Sequence, residues 1–169
     1  FIGSNLPKAI KKQRMIWVSG DSSVNPIVDE TIDRFGGAAY TRKPGELCIH
    51  RNTEAFWLHF FENNNIDVVI HNAAVVGTDV VALDSKESTL TNVMGTHNIC
   101  QAAKAAGIPV CYMGTSVIYD TPSYQSSAIT ETSDINPSTF YGAQKLSGEY
   151  VVKSTVKDWL IMRPLFAYG

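Results

Sequence analysis

The sequence predicts an α/β fold in which helices cover both faces of a parallel sheet, a doubly wound arrangement. Short apolar runs alternate along the chain with segments of helical character, and this alternation is typical of parallel strands joined by crossover helices. Small, hydroxylated or amide residues directly follow several of the apolar runs. In a parallel sheet such residues gather at one edge, where ligands bind. The 169 residues contain no repeat and no linker, so we expect one domain.

Five short apolar segments are predicted to be strands. They are residues 15–19, 47–49, 67–71, 110–113 and 159–162. Helices are predicted between them, where apolar residues recur at helical spacing and where glycine, proline or asparagine marks an end. These helices are residues 7–12, 26–35, 53–63, 85–106 and 141–154. The polar, turn-rich residues 119–137 predict a loop.

Charge and hydropathy narrow the range of partners. A net charge of −2 and a pI near 6.1 give no electrostatic reason to expect nucleic acid or an anionic membrane surface as a partner. The start of the chain lacks the regions of a signal peptide. No apolar run approaches the roughly 20 residues of a membrane-spanning helix. We therefore expect neither nucleic acid nor a membrane as a partner.

The cysteines and histidines show no pattern of a metal site. Cys48, Cys100 and Cys111 are odd in number and lack C-x-x-C spacing, which argues against a disulfide framework or a zinc site and fits a reducing cytoplasm. The four histidines share no ligand spacing. We expect a cytoplasmic protein without a metal, in which Cys100 and Cys111 are core residues and His71 is a buried, hydrogen-bonded strand residue.

Tyr141 and Lys145 are four residues apart in a predicted helix. Side chains at this spacing lie on one helical face. A lysine beside a phenol favours the phenolate and lowers its pKa from about 10, which makes the phenol a usable general acid or base near neutral pH. Because this spacing is common by chance, its interpretation depends on the rest of the chain.

Five stretches share a pattern with one enzyme family. They are residues 69–74 (V-I-H-N-A-A), 91–96 (T-N-V-M-G-T), 114–119 (G-T-S-V-I-Y), 141–149 (Y-G-A-Q-K-L-S-G-E) and 163–169 (R-P-L-F-A-Y-G). In order and spacing they resemble the motifs of the extended short-chain dehydrogenase/reductase family, whose members are NAD-dependent nucleotide-sugar epimerases, dehydratases and reductases. The tyrosine motif of that family is Y-G-x-x-K-x-x-G-E. Each motif is weak alone, and the five together are a strong signal.

The resemblance implies a Rossmann-type sheet with the strand order 3-2-1-4-5-6. The opening F-I-G-S-N-L is similar to the end of the family's T-G-x-x-G-F-I-G-S-x-L motif, with Gly3 as the third glycine. We therefore expect residues 1–169 to be a partial NAD(P)-binding Rossmann domain that lacks the family's first strand and C-terminal substrate-binding lobe. Because the first strand is central in the family, we expect a gap beside residues 15–19 and low stability of the chain alone.

The resemblance also implies roles for individual residues. Tyr141 would be the acid/base. Lys145 would lower the pKa of Tyr141 and bind the nicotinamide ribose. Thr115 would polarise the substrate oxygen with which Tyr141 exchanges a proton, and Ser116 is the alternative residue for this role. Two roles are open for Asn92: it would lie near the cofactor, or its role would be purely structural. The cofactor-binding set is Gly3, Asp21, Asn52, Ala73, Ala74, Asn92, Tyr141, Lys145 and Pro164.

Departures from the family motifs bear on the cofactor and the reaction. Ser19 stands where NAD-binding members carry an aspartate, and Asp21 follows two residues later. NAD is thus preferred to NADP, although Arg51 would suit the 2′-phosphate of NADP. Ser116 and Val117 stand where the 4,6-dehydratases carry Asp-Glu, which disfavours a dehydratase.

The implied activity is that of a nucleotide-sugar epimerase or 4-keto reductase, in which proton transfer by Tyr141 accompanies hydride transfer. Phe166 stands where epimerases commonly carry asparagine and is closer to the family's reductases of dTDP-linked 4-keto sugars. Two alternatives stay open: a non-catalytic dinucleotide-binding regulator or subunit, and a reductase of a non-sugar ketone. The resemblance further implies a homodimer, formed by the helices that begin near Ser85 and Tyr141.

Overall fold

A parallel sheet forms the centre of the structure. The computed structural model describes residues 15–18, 53–119 and 128–165. Within them, four strands are hydrogen-bonded in parallel in the order β1 (Met15–Val18), β2 (Val68–His71), β3 (Val110–Met113) and β4 (Trp159–Met162). The predicted parallel sheet is confirmed, and these four strands match their predicted bounds to within one residue. The predicted strand 47–49 and the predicted helices 7–12 and 26–35 lie outside the described residues.

The prediction of a gap in the sheet beside β1 is wrong. β1 pairs directly with β2, with Met15 opposite Val68 and Val18 opposite His71. Unpaired N–H and C=O groups along two facing strand edges are costly, and parallel pairing satisfies them. The sheet therefore closes at the position where the family order places another strand.

The two central strands consist mainly of β-branched and aromatic residues. Three of the four residues of β2 and three of the four of β3 are buried, as expected of parallel strands covered on both faces. β4 is more open, because none of its four residues is fully buried. The described core is therefore centred on β2 and β3.

The first described helix, α1 (Glu54–Asn63), confirms the prediction for residues 53–63. The Thr53 hydroxyl caps it by accepting a hydrogen bond from the Phe56 amide at 3.3 Å, which satisfies one of the free N–H groups of the first turn. Trp57, Phe60 and Phe61 are buried on its inner side. This aromatic face packs against the helix that precedes β3.

The predicted helix at residues 85–106 is not a single α-helix. A short helix α2 (Thr78–Leu83) precedes it, and the segment itself comprises α3 (Ser85–Thr89), a π-helical stretch (Leu90–Gly95) and α4 (Thr96–Ala106). Gly107 ends α4 in the left-handed conformation, with φ of 69°, as predicted from its place after the helix. A wide turn is defined by its backbone hydrogen bonds and not by residue type, so the apolar pattern does not indicate it.

The helix that carries the Tyr–Lys pair is α5 (Phe140–Thr155), which confirms the prediction for residues 141–154. The Thr139 hydroxyl caps it by accepting from the Gly142 amide at 3.0 Å. Helix α4 contacts α1 on one side and α5 on the other, so the three long described helices form one layer. A 3₁₀ turn (Ser116–Tyr119) follows β3, and the described part of the predicted loop contains neither helix nor strand after that turn.

None of the described helices is both long and apolar enough to cross a membrane. The same residues contain no cluster of three or more histidine, cysteine or acidic side chains that could hold a metal ion. Cys100 is buried in the core and Cys111 is partly buried.

Candidate active site

The ends of β3 and β4 bring two predicted site segments together. Beyond the strands, the Gly114 amide donates to the Met162 carbonyl at 2.7 Å, and the Ser116 amide donates to the Pro164 carbonyl at 3.2 Å. The segment containing Thr115 and the segment containing Pro164 therefore run side by side at the carboxyl edge of the sheet. This is the edge at which ligands bind in parallel sheets.

The first turn of α5 lies against the 3₁₀ turn that follows Thr115. A Cβ atom on Gly142 would lie 3.3 Å from the Val117 carbonyl oxygen, so the absence of a side chain at Gly142 permits this approach. Tyr141 is the neighbouring residue and is partly buried. The contact brings the helix start that carries Tyr141 to the segment that carries Thr115.

The Thr115 side chain is buried, and its hydroxyl oxygen accepts a hydrogen bond from the Val117 amide at 3.3 Å. This bond fixes the oxygen and uses only a lone pair. The hydroxyl hydrogen remains able to donate to another acceptor. The bond to the backbone is thus compatible both with a structural hydroxyl and with the donor role that the family resemblance implies.

Lys145 is almost completely buried, with 2% of its surface exposed. Its ammonium nitrogen lies 4.3 Å from the centre of the Tyr112 ring. Burial lowers the pKa of Lys145 to about 7, while the negative charge of Glu149 acts in the opposite direction. Burial therefore favours the neutral amine of Lys145, because an isolated buried ammonium is poorly stabilised.

The expected lowering of the Tyr141 pKa is not found in this structure. Burial raises the pKa of Tyr141 above its usual value of 10, since a half-buried phenolate loses hydration. Tyr141 is therefore a neutral phenol in this structure.

Asn92 is buried and connects two parts of the site. Its Oδ1 accepts from the Val75 amide at 2.8 Å, and its Nδ2 donates to the Val75 carbonyl at 3.0 Å. The same Nδ2 donates to Gln144 Oε1 on α5 at 2.8 Å. Of the two predicted roles of Asn92, the structural one agrees with these bonds, because both Nδ2 hydrogens are engaged by the protein.

The loop that Asn92 holds is the one that follows β2. It contains the predicted cofactor residues Ala73, which is buried, and Ala74, which is partly buried. Both carry only a methyl group, the smallest side chain after that of glycine. The predicted cofactor residues Gly3, Asp21 and Asn52 lie outside the described residues, as do Ser19, Arg51 and Phe166.

A buried ion pair joins α5 to the end of β4. The carboxylate of Glu149 accepts from Arg163 Nε at 2.8 Å and from Arg163 Nη2 at 2.6 Å. Lys153 lies 3.7 Å from the same carboxylate. This fork-like pairing fixes the position of Arg163, and Pro164 follows it in the chain.

His71 is a buried strand residue, as predicted. Its Nε2 lies 2.8 Å from the Thr96 hydroxyl, and that hydroxyl donates to the Asn92 carbonyl at 2.8 Å. The hydroxyl hydrogen is thereby used, so His71 Nε2 is the donor. The buried Nδ1 has no hydrogen-bond partner among the described residues, which favours the neutral ring. Burial, aided by the charge of Lys145, lowers the pKa of His71 to about 3.

A cleft of about 820 Å³ lies along β4. Its lining includes Ser116 and Pro164 but none of Thr115, Tyr141 and Lys145. We therefore do not assign this cleft to the candidate site.

No role was predicted for Tyr112, Gln144 or the Glu149–Arg163 pair. Gln144 and Glu149 lie within the tyrosine motif itself, next to Lys145 and one helical turn after it. Their proximity to Lys145 in the motif could have indicated that both belong to the site. Nothing in the sequence distinguishes Tyr112 from other residues of a buried strand.

Comparison with known proteins identifies the family. A family model described as RmlD substrate binding domain matches residues 33–169. The chain belongs to this family. The match places the RmlD-family chain among the extended short-chain dehydrogenases/reductases, as the sequence motifs indicated, and its parallel sheet is the Rossmann-type sheet of those enzymes.

Individual relatives of the RmlD-family chain are more distant. It is 30% identical over 108 residues to a dTDP-4-dehydrorhamnose reductase of Burkholderia thailandensis, which covers 64% of this chain and 36% of the reductase. It is similar to the crystal structure of a dTDP-4-dehydrorhamnose reductase from Clostridium acetobutylicum, with 28% identity, a TM-score of 0.65, and coverage of 73% of this chain and 43% of that one.

Two further solved structures were determined with a dinucleotide. The dTDP-4-dehydrorhamnose reductase of Bacillus anthracis, in complex with NADP, shares the fold, with a TM-score of 0.71, 22% identity, and coverage of 91% of this chain and 54% of that one. The enzyme WbmH of Bordetella bronchiseptica, in complex with NAD+, has a TM-score of 0.58, 25% identity, and coverage of 68% and 38%. The RmlD-family chain spans less than half the length of the curated relatives that it matches.

Proposed function

We propose that the protein is an NAD(P)-dependent oxidoreductase of nucleotide-linked sugars, and that it reduces a 4-keto sugar. The observation that carries this proposal is the meeting of three segments at one sheet edge. The start of α5, with Tyr141 and Lys145, lies against the turn that follows Thr115, and the Pro164 segment runs beside it. The family match and the relatives named as reductases support the choice of substrate class.

The chemistry of the described residues fits a dinucleotide. Ala73 and Ala74 offer main chain without bulk, in a loop that Asn92 fixes at Val75. Lys145 is a buried ammonium that ribose hydroxyls would stabilise, since its charge is disfavoured in the structure. By family resemblance, Pro164 would lie beside the nicotinamide, and Gly3, Asp21 and Asn52 would hold the rest of the cofactor. NAD is preferred on the basis of Asp21, and relatives bound to NADP and to NAD are both known.

When bound, the dinucleotide supplies or accepts the hydride. The protein's own residues manage the oxygen of the reacting carbonyl. Thr115 donates its hydroxyl hydrogen to that oxygen, and Tyr141 gives its proton to the same atom as negative charge develops there. Because burial raises the pKa of Tyr141, the phenol starts protonated at neutral pH, which suits the reduction direction. Lys145 then stabilises the phenolate that remains.

The reaction type is tested with the full-length protein. We would supply a dTDP-linked 4-keto-6-deoxy sugar with NADH or NADPH, and we expect stoichiometric oxidation of the dinucleotide. An epimerase would instead interconvert nucleotide sugars without net consumption of cofactor. Failure to turn over any nucleotide sugar under either condition would overturn the proposal.

The role of Tyr141 is tested by Tyr141→Phe, with Tyr150→Phe as the matched control. Tyr150 lies on the same helix and is 60% exposed. We expect Tyr141→Phe to lower kcat by about a hundredfold or more and to leave dinucleotide affinity unchanged, while the control retains full activity. Unchanged function in Tyr141→Phe would favour the alternative of a dinucleotide-binding regulator or subunit.

We also propose that the protein is a homodimer formed through the α3–α4 segment and α5. Met94 and Phe140 on these elements are 46% and 50% exposed, and apolar groups of this kind are enriched at interfaces. Sedimentation equilibrium of the full-length protein is expected to give twice the chain mass. A monomer at micromolar concentration would contradict this assignment.

A further inference from the structure

Gln144 stands at the centre of a buried network of side-chain hydrogen bonds. Its Oε1 accepts from Asn92 Nδ2 at 2.8 Å. Its Nε2 donates to the Ser88 hydroxyl and to the Thr89 hydroxyl, each at 3.0 Å. The Gln144 side chain is buried, with 3% of its surface exposed. Both hydrogens and the oxygen of its amide are therefore engaged within the protein.

The partners of Gln144 are far from it along the chain. Asn92 is 52 residues away and Ser88 is 56 residues away. They lie on two parts of one helical segment, Ser88 and Thr89 in α3 and Asn92 in the π-helical stretch. Helix α3 and the π-helical stretch thus both present polar groups to the side-chain amide of Gln144. This arrangement holds α5 to the segment before β3 at the level of Tyr141 and Lys145.

The network continues from Asn92 to the loop after β2. The amide of Asn92 bonds both the N–H and the C=O of Val75, as a neighbouring strand would. Gln144 is therefore one side chain away from the loop that contains Ala73 and Ala74. In the tyrosine motif this position is one of the two unspecified residues between Tyr141 and Lys145, so the motif does not explain why a glutamine is there.

We propose that Gln144 is a positioning residue, which sets the distance between the Lys145-bearing helix and the loop after β2 by acting through Asn92. The inference rests on the proposed function, because it assumes that the loop and Lys145 bind opposite sides of one dinucleotide. The linked amides of Gln144 and Asn92 hold the helix and the loop in place before the dinucleotide binds. Such preorganisation raises affinity, because less of the protein has to be ordered on binding. Gln144 itself touches neither substrate nor cofactor in this arrangement.

The test measures dinucleotide affinity of the full-length protein by fluorescence titration with NADH and NADPH. Gln144→Leu keeps the side-chain size and removes both amide functions. Gln101→Leu is the matched control, because Gln101 is on α4, partly buried, and bonded only to His97 among the contacts that the structure gives it. We expect about tenfold weaker binding for Gln144→Leu and affinity within about twofold of wild type for the control.

Two further variants separate positioning from a simple loss of folding. Thr89→Val preserves shape and removes one of the two acceptors of the Gln144 amide, so we expect about twofold to threefold weaker binding with little loss of thermal stability. If Gln144 acts through Asn92, the double variant Asn92→Ala with Gln144→Leu binds no more weakly than Asn92→Ala alone. Additive losses, or a Gln144→Leu protein with lower Tm and wild-type affinity, would overturn the inference.

The same experiment distinguishes failure of the inference from failure of the proposed function. A wild-type protein that binds neither dinucleotide contradicts the proposed function, and the positioning role falls with it. A wild-type protein that binds, together with a Gln144→Leu protein that binds equally well, contradicts the positioning role alone.

Discussion

The ammonium of Lys145 lies 4.3 Å above the centre of the Tyr112 ring. Both side chains are fully or almost fully buried. The face of an aromatic ring carries partial negative charge, and its attraction for a cation increases where water is excluded. The same ring contacts His71 at its edge, with 5.4 Å between ring centres. Tyr112 is thus the aromatic platform on which the charge of Lys145 is held.

This platform predicts different results for two substitutions of Tyr112. Tyr112→Phe keeps the ring and loses the hydrogen bonds of the hydroxyl, a long one to the Lys145 carbonyl at 3.5 Å and one with the Thr96 side chain, so we expect a loss of about 1 kcal/mol in the free energy of unfolding. Tyr112→Leu removes the ring and leaves a cavity, and we expect a loss of about 2–4 kcal/mol. Urea unfolding measures both values. Equal losses would show that the ring face contributes nothing specific.

Gly148 makes room for the hydroxyl of Tyr112 beneath α5. A Cβ atom at Gly148 would lie 2.2 Å from that oxygen and 2.8 Å from the ring carbon that bears it. Gly148→Ala should therefore destabilise the protein by about 1–3 kcal/mol through overpacking, despite the better helix propensity of alanine.

Adding Tyr112→Phe to Gly148→Ala should restore part of the lost stability, because it removes the nearer of the two clashing atoms. The control is Ser147→Ala at an exposed position of the same helix, which should change stability by less than about 0.5 kcal/mol. Thermal unfolding of the four proteins checks this. A Gly148→Ala protein as stable as wild type would contradict the packing argument.

The ion pair between Glu149 and Arg163 should be the most sensitive electrostatic contact of the described residues. The Glu149 side chain is fully buried and the Arg163 side chain is 14% exposed. Arg163→Met removes the bidentate partner and leaves the carboxylate underpaired, for which we expect a loss of about 3–5 kcal/mol. Lys153→Met removes the more exposed third member, at 3.7 Å, and should cost less than about 1 kcal/mol. Guanidinium unfolding measures both losses of stability. A larger loss for Lys153→Met than for Arg163→Met would contradict this prediction.

His71 should make the protein sensitive to acid. Its pKa is lowered to about 3 by burial and by Lys145, whereas an unfolded histidine titrates near 6.5. Between these values the unfolded chain binds a proton that the folded chain does not. The contribution of the neutral His71 ring to the free energy of unfolding is therefore complete above about pH 6.5 and is lost as the pH falls toward 3.

The measurement is urea unfolding at pH 7 and at pH 4.5. His71→Gln keeps a donor for Thr96 and removes the titrating group, so it should lose less stability between the two pH values than wild type, by on the order of 2 kcal/mol. His59→Gln, at an exposed position of α1, is the control and should follow the wild-type profile. A His71→Gln protein with that same profile would show that His71 is not the sensitive group.

Local sequence signals account for most of the described elements. The apolar runs of β2 and β3, the Thr53 and Thr139 caps and the glycine after α4 are short-range features, each decided by a few adjacent residues. The proximity of the Thr115 segment to the start of α5 followed from the motifs and from the rule that strand ends share one edge. The roles of Thr115, Tyr141 and Lys145 stay predictions.

The features that were missed depend on residues distant in sequence. The direct pairing of β1 with β2 is a choice between strand edges, which no local pattern encodes. The Gln144 network joins residues more than 50 positions apart. The raised pKa of Tyr141 depends on how deeply the folded protein buries the phenol, whereas helical spacing alone indicated only a neighbouring lysine.

The π-helical stretch makes residue number a determinant of this site. A regular α-helix turns by about 100° with each residue, whereas the wide turn between Leu90 and Gly95 takes about one residue more to complete the same rotation. If the same residues wound as a regular α-helix, α3 would rotate relative to α4 by about 100°, and Ser88 and Thr89 would turn away from Gln144 although every side chain of the network were retained. A homologous chain one residue shorter at this point would need a regular α-helix here to present the same polar groups to that amide.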